Sequence, residues 1–316
     1  MMADKHGQAM GQATGPATGI VSLLLLVVVG TMSGVTNNVS KLGVQFSVPL
    51  LPLLFWGMLG GAILLGVVAM LSDSKPVLNR ASLVYGLVSG LLLIALPTAI
   101  IYLAAQPVGA GFVSLSLAFV PMITYVWAMA LGIEAFRWVR VAGVVAGLAG
   151  GLILALGKAR SPDAAVAWIL ATAAIPIIIA AGNIYRTQFW PMGAKPLSLA
   201  PLMLAGGAVW LLPAALYLDI GSTSTEAGIG LAVLQAVVST AMYSLYFVVQ
   251  KRAGPVYLSQ LGSISAITGA AIAILVFDEP VPPNLALAAT LVVIGIVLFS
   301  VRRAAASQVS LTNASR

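Results

Sequence analysis

Long apolar runs alternate with short polar links along nearly the whole chain. The runs fall at about 20–41, 50–71, 82–104, 108–131, 139–157, 165–187, 198–218, 228–250, 255–277 and 284–301. Each stays apolar for about 20 residues, the length an α-helix needs to cross about 30 Å of hydrocarbon. A bilayer-spanning strand would instead alternate apolar and polar residues. The pattern predicts an all-α, polytopic membrane protein with ten transmembrane helices, successive helices running antiparallel. Pro97, Pro121, Pro176 and Pro213 lie inside runs and are predicted kinks, because neighbouring helices can satisfy the carbonyls they free. Residues 1–19 read as a disordered N-terminal tail and 304–316 as a polar C-terminal tail.

The stretch Pro121–Leu156 organises the rest: an apolar run reaches Glu134, a basic link follows, and a Gly-rich run carries Gly143, Gly147, Gly150 and Gly151. At an offset of 145 positions Glu134 falls on Glu279, Gly150 on Gly295, Asn38 on Asn183 and Lys41 on Arg186. Five helices per half is an odd number, so a second copy must enter from the opposite side and sit inverted. The basic residues test this. Twelve of the 15 Lys and Arg fall on the side of the N-terminus, and only Lys41, Lys158 and Arg160 fall on the other. Equivalent links also differ in charge: 72–81 holds two basic residues, while 219–227 holds none. Two inverted five-helix repeats are therefore expected at 20–157 and 165–303, with both termini cytoplasmic by the positive-inside rule.

Composition agrees. The chain has 316 residues, 60% hydrophobic and only 7% charged, against about 25% charged in a soluble domain; its mean hydropathy is +1.07. The net charge of +7 is explained by membrane topology, so nucleic acid is not an expected partner. Cysteine is absent, and the lone His6 sits in the tail. No disulfide, metal site or cofactor is expected.

Polar groups within hydrocarbon normally face the bundle interior. Ser33, Thr36, Asn37 and Asn38 cluster on the first helix, and Asn183 on the sixth answers Asn38. Gln235, Ser239, Tyr243 and Tyr246 share one face of the eighth. Gln260 and Ser263 lie three apart on the ninth, with Thr98 and Tyr102 on the third and Ser116 on the fourth. These residues either line a substrate cavity or make interhelical hydrogen bonds worth about 1 kcal/mol each. None of the eight acidic residues sits mid-run, which disfavours exchange of a cation for a proton at an embedded carboxylate. A neutral, zwitterionic or anionic solute fits better. Lys41 and Arg186 lie near helix ends on opposite sides, where long side chains can reach headgroups; the alternative is a gate or anion contact, one per face. Glu134 and Glu279 read as caps or braces of helix junctions. Trp138, Trp168 and Trp190 read as interfacial anchors.

Ten helices in inverted halves, each with a run ending in Glu, resemble the drug/metabolite transporter superfamily, and within it the EamA-type transporters. The residues that carry the likeness are Pro121 and Glu134 followed by Gly143–Gly151, and Phe277-Asp278-Glu279-Pro280 followed by Gly295. One departure is Ala266, which stands where the repeat would match Pro121. The resemblance implies alternating-access transport of small metabolites, often export, through a central cavity lined by helices one, three, four, six, eight and nine.

The expected function is thus transport, most simply export, of a small polar neutral or zwitterionic metabolite such as an amino acid. It would act in a plasma (bacterial inner) membrane, with the bilayer and the solute as partners and a homodimer left open. The competing readings are a non-transporting scaffold or sensor, and a membrane-embedded enzyme. No His or Cys lies in a helix and no catalytic motif is present, which argues against the enzyme.

Overall fold

A computed structural model describes residues 16–72, 74–159, 165–258, 261–281 and 285–300. All regular structure among them is helical. In chain order the helices are α1 (Pro16–Asn37), α2 (Val39–Gln45), α3 (Leu50–Leu71), α4 (Arg80–Gly90), α5 (Leu96–Val108), α6 (Ala110–Ser116), α7 (Val120–Ala130), α8 (Trp138–Ala159), α9 (Val166–Gln188), α10 (Pro196–Tyr217), α11 (Glu226–Leu258), α12 (Leu261–Leu275) and α13 (Leu285–Ser300). A π-helical turn at Leu91–Ala95 joins α4 to α5, and a 3-10 turn at Leu117–Phe119 joins α6 to α7. Among the described residues, six segments are long and apolar enough to cross a membrane: Leu50–Leu71, Arg80–Val108, Ala110–Ala130, Val166–Gln188, Pro196–Tyr217 and Glu226–Val249. Trp138–Ile153 and Leu261–Leu275 are apolar but shorter.

Local chemistry explains most boundaries. The Asn79 side chain accepts from the Ser82 N–H (2.8 Å) and caps α4. The π turn immediately precedes Pro97 and the 3-10 turn immediately precedes Pro121. Proline removes the N–H that would bond four residues back, so each helix tightens or widens to compensate. Pro176 lies inside α9 and Pro213 inside α10.

Three boundaries differ from expectation. The first run breaks at Asn38, because its side chain bonds to the Gly34 carbonyl (3.0 Å) and to the Gly269 carbonyl of α12 (3.1 Å). Helix α1 begins at Pro16, so residues 16–19 are helical, contrary to the expected tail. The link expected around Lys251 and Arg252 is instead helix, since α11 runs on to Leu258. Residues 1–15 and both tail-end segments after Ser300 lie outside the described residues.

Helix α3 packs against α10 and α11, α4 against α10, and α1 against α11 and α12; α8 pairs with α13. Lipid is as apolar as leucine, so close backbone contact rather than hydrophobic burial holds such pairs. Glycine supplies that contact. A Cβ on Gly206 would overlap the Gly86 carbonyl of α4, and one on Gly34 would overlap Thr268 of α12. Trp210 Nε1 donates to the Leu87 carbonyl (3.1 Å), a second tie between α10 and α4. The apolar core lies where these pairs meet, around Leu53, Leu54, Ile94, Ile175 and Met203.

Candidate functional site

The polar face of α11 turns inward. Gln235, Ser239 and Tyr243 line a cavity of about 100 Å³, opposite Ser33, Thr36 and Asn37 of α1 and Thr98 of α5. Met58, Leu93, Pro97, Leu117 and Ile179 complete its wall. No acidic or basic side chain lines it among the described residues. At a water's share of about 30 Å³, the space suits a solute of only a few heavy atoms in this conformation.

The cavity's donors are unevenly used. Asn37 Nδ2 donates to Ser265 Oγ (3.2 Å), and Ser265 in turn donates to Ser33 Oγ (3.0 Å). Buried Tyr102 places its hydroxyl within reach of Gln235 Oε1 (3.1 Å) and of the Thr36 carbonyl (3.4 Å). That bond fixes the Gln235 amide and leaves its Nε2 with no protein partner, as is Ser239 Oγ. A buried donor without a partner costs about 1–3 kcal/mol, and a polar solute in the cavity would relieve it.

A different arrangement closes the end of the bundle where α1 stops. The span Arg80–Val108 ends there, and the chain reverses on the single residue Gly109, at φ +89. The Glu279 carboxylate meets the next helix head-on: the Ala110 N–H donates to Oε1 (2.7 Å) and the Gly111 N–H to Oε2 (2.9 Å). Lys41 pairs with the same carboxylate. One anion thus joins the end of α12, the start of α6 and α2, satisfying two orphan N–H groups and one cation.

Arg186 lies at the other end, near the last turn of α9. It is 1% exposed and packs its guanidinium over the Tyr246 ring (4.8 Å) and near Phe247 (6.0 Å). Tyr85 lies beside it, stacked on Tyr185 (6.0 Å between ring centroids) and edge-on to Trp190 (5.8 Å). The reach to headgroups expected for Arg186 is therefore not what is observed. Glu134 at this end pairs with Arg140 (3.0 Å), whose guanidinium lies 5.3 Å from the Tyr125 ring.

The sequence model of the EamA-like transporter family matches residues 20–156. That segment of the chain is similar to the family. The family belongs to the drug/metabolite transporter superfamily, whose members are transporters. No curated protein matches the chain. A solved crystal structure is similar over 91% of this chain and 98% of its own, with a TM-score of 0.62 and 17% identity; at that identity the likeness carries the fold alone.

Set against this fold, the candidate residues separate. Asn37, Thr98, Gln235, Ser239 and Tyr243 meet at the cavity, with Tyr102 directly behind Gln235. Asn38 gives its Nδ2 to backbone carbonyls and keeps a buried Oδ1 without a partner, away from the cavity. Asn183 is half-buried on α9 and does not line the cavity. Ser116 bonds to the Val113 carbonyl and faces a second, apolar cavity of about 260 Å³ between α7, α8 and α9. Ser263 is buried without a partner, away from the cavity. Gln260 lies outside the described residues. Sequence reasoning missed the aromatic cluster around Arg186; tyrosines inside otherwise aliphatic runs, at Tyr85 and Tyr185, were the available signal.

Proposed function

We propose that this protein carries a small polar, neutral or zwitterionic solute such as an amino acid through the central cavity by alternating access, as an exporter in a bacterial inner membrane with both termini cytoplasmic. The observation that carries this reading is an uncharged polar cavity holding two unpartnered donors, Gln235 Nε2 and Ser239 Oγ, in an EamA-like fold.

Alternating access needs two interchangeable halves, and the packing supports ten crossings arranged as inverted repeats. Exchanging the halves maps each contact onto another: α3 with α11 corresponds to α10 with α4, and α1 with α12 to α9 with α7. The pairs α3 with α10 and α8 with α13 map onto themselves. The two Glu junctions also match, for the Glu134 N–H donates to the Ala128 carbonyl (3.2 Å) and the Glu279 N–H to the Ala273 carbonyl (3.1 Å), six residues back in both.

The test is counterflow of labelled amino acids in proteoliposomes of the full chain, with and without a pH gradient. Saturable exchange that is insensitive to the gradient and weakened by Gln235→Leu is the expected result. Exchange that required the gradient and was abolished by a carboxylate reagent would overturn the uncharged-cavity mechanism.

A further inference from the structure

Among the described residues, Arg186 is a buried cation without a counter-anion. Its Nε and Nη1 donate to nothing, although the side chain is 1% exposed. Buried charges are normally paired, because desolvation is otherwise uncompensated. Among the described residues no acid supplies the pair. Glu134 is engaged by Arg140 and Glu279 by Lys41. Asp219, Glu226 and Asp278 stand at the far end of the bundle, beyond the ends of α10 and α12. What holds the guanidinium is the faces of Tyr246 and Phe247, which attract a cation without using its N–H donors.

The residue is also in line with the cavity. Ile179 lines the cavity, and Arg186 lies seven residues further along α9, two turns on the same face and about 10 Å away. On α11 the lining Tyr243 is followed by Tyr246, with ring centroids 5.8 Å apart, and Tyr246 carries Arg186. A file of aromatic rings therefore joins the polar cavity to a cation with open donors.

We propose that Arg186 is the carboxylate subsite of the translocation path: it takes the carboxylate of the solute, so transported solutes carry an oxyanion as well as any neutral polar group. This rests on the transporter reading above and narrows its substrate class to carboxylates, zwitterionic amino acids included. A free inorganic anion is a competing source of the same chemistry.

The experiment uses the full chain in detergent. Its melting temperature is followed by tryptophan fluorescence with each of the protein amino acids, with the corresponding amino-acid amides and decarboxylated amines, and with inorganic phosphate. The same solutes are run in proteoliposome counterflow. The expected result is that at least one amino acid raises the melting temperature and is exchanged, while its amide and amine do neither. Arg186→Gln should raise KM for that amino acid at least about tenfold, the equivalent of one hydrogen bond to a charged group, and Arg186→Lys should retain part of the activity. Exchange of amides or amines as well as acids, or an unchanged KM in Arg186→Gln, overturns the subsite and leaves the transporter standing. A melting shift by phosphate equal to that of the amino acids assigns the site to inorganic anions and also overturns it. If no solute is exchanged, but carboxylates stabilise the native chain and not Arg186→Gln, Arg186 stands as a carboxylate-binding residue and the transporter reading falls, and with it the place of Arg186 on a translocation path. If nothing is exchanged and nothing binds, both fall.

Discussion

Lys41 and Arg186 stand 145 positions apart, near the ends of α1 and α9, and the fold treats them in opposite ways. Lys41 is 19% exposed and neutralised by Glu279, which is itself tied to two helix N–H groups. Arg186 is more deeply buried and rests on aromatic faces, with two nitrogens unused. At one end the charges are paired within the chain. The other is complete only when something else supplies an anion. A charge that serves stability is paired within the chain, and a charge that serves binding is left open at some cost in stability.

The largest effect expected from this contrast is at Glu279. In Glu279→Gln the amide can accept only one of the two N–H groups and turns a donor toward the other or toward Lys41. Breaking a buried pair while leaving its cation costs about 3–5 kcal/mol, and partial exposure brings this to about 2–3 kcal/mol. The melting temperature in detergent should fall clearly, and Lys41→Met combined with Glu279→Gln should lose less than the sum of the two changes. Additive losses would mean that the pair is not a unit.

Arg186→Met should go the other way. It forfeits a cation–π contact worth about 1–2 kcal/mol but removes an uncompensated charge whose desolvation costs several kcal/mol. Stability should be unchanged to about 1 kcal/mol higher, while transport is lost. A melting temperature lowered as far as in Glu279→Gln would erase the distinction between the two ends.

The smallest effect lies between them. Tyr102→Phe removes the hydroxyl that orients Gln235, at about 1 kcal/mol. Counterflow should show a raised KM with a nearly unchanged melting temperature. If KM is unmoved, the Tyr102–Gln235 pair is structural only.

Much of the fold was legible in the chain itself. Apolar runs of spanning length, interrupted by links, require helices because a bilayer offers the backbone no other hydrogen-bond partner. Gln235, Ser239 and Tyr243 recur every four residues, so a single helix must present them on one face; all three line the cavity. The breaks were less legible. The end of α1 depends on Asn38 bonding to Gly269, 231 residues away, and α11 runs on past the Lys251 and Arg252 pair that reads as a link.

The sequence by itself determined the class of molecule, the helical runs, the EamA-like pattern and the polar stripe of α11, since composition and periodicity act within one helix. Tertiary structure alone decided which polar groups are spent on packing, as at Asn38 and Ser116, and which remain open, as at Gln235 and Arg186. It also decided that Glu279 caps Ala110 and Gly111, 169 and 168 positions before it. Partners so distant along the chain leave no periodic trace. A hydrogen bond depends on where two groups meet in space, and that is fixed only when the helices pack.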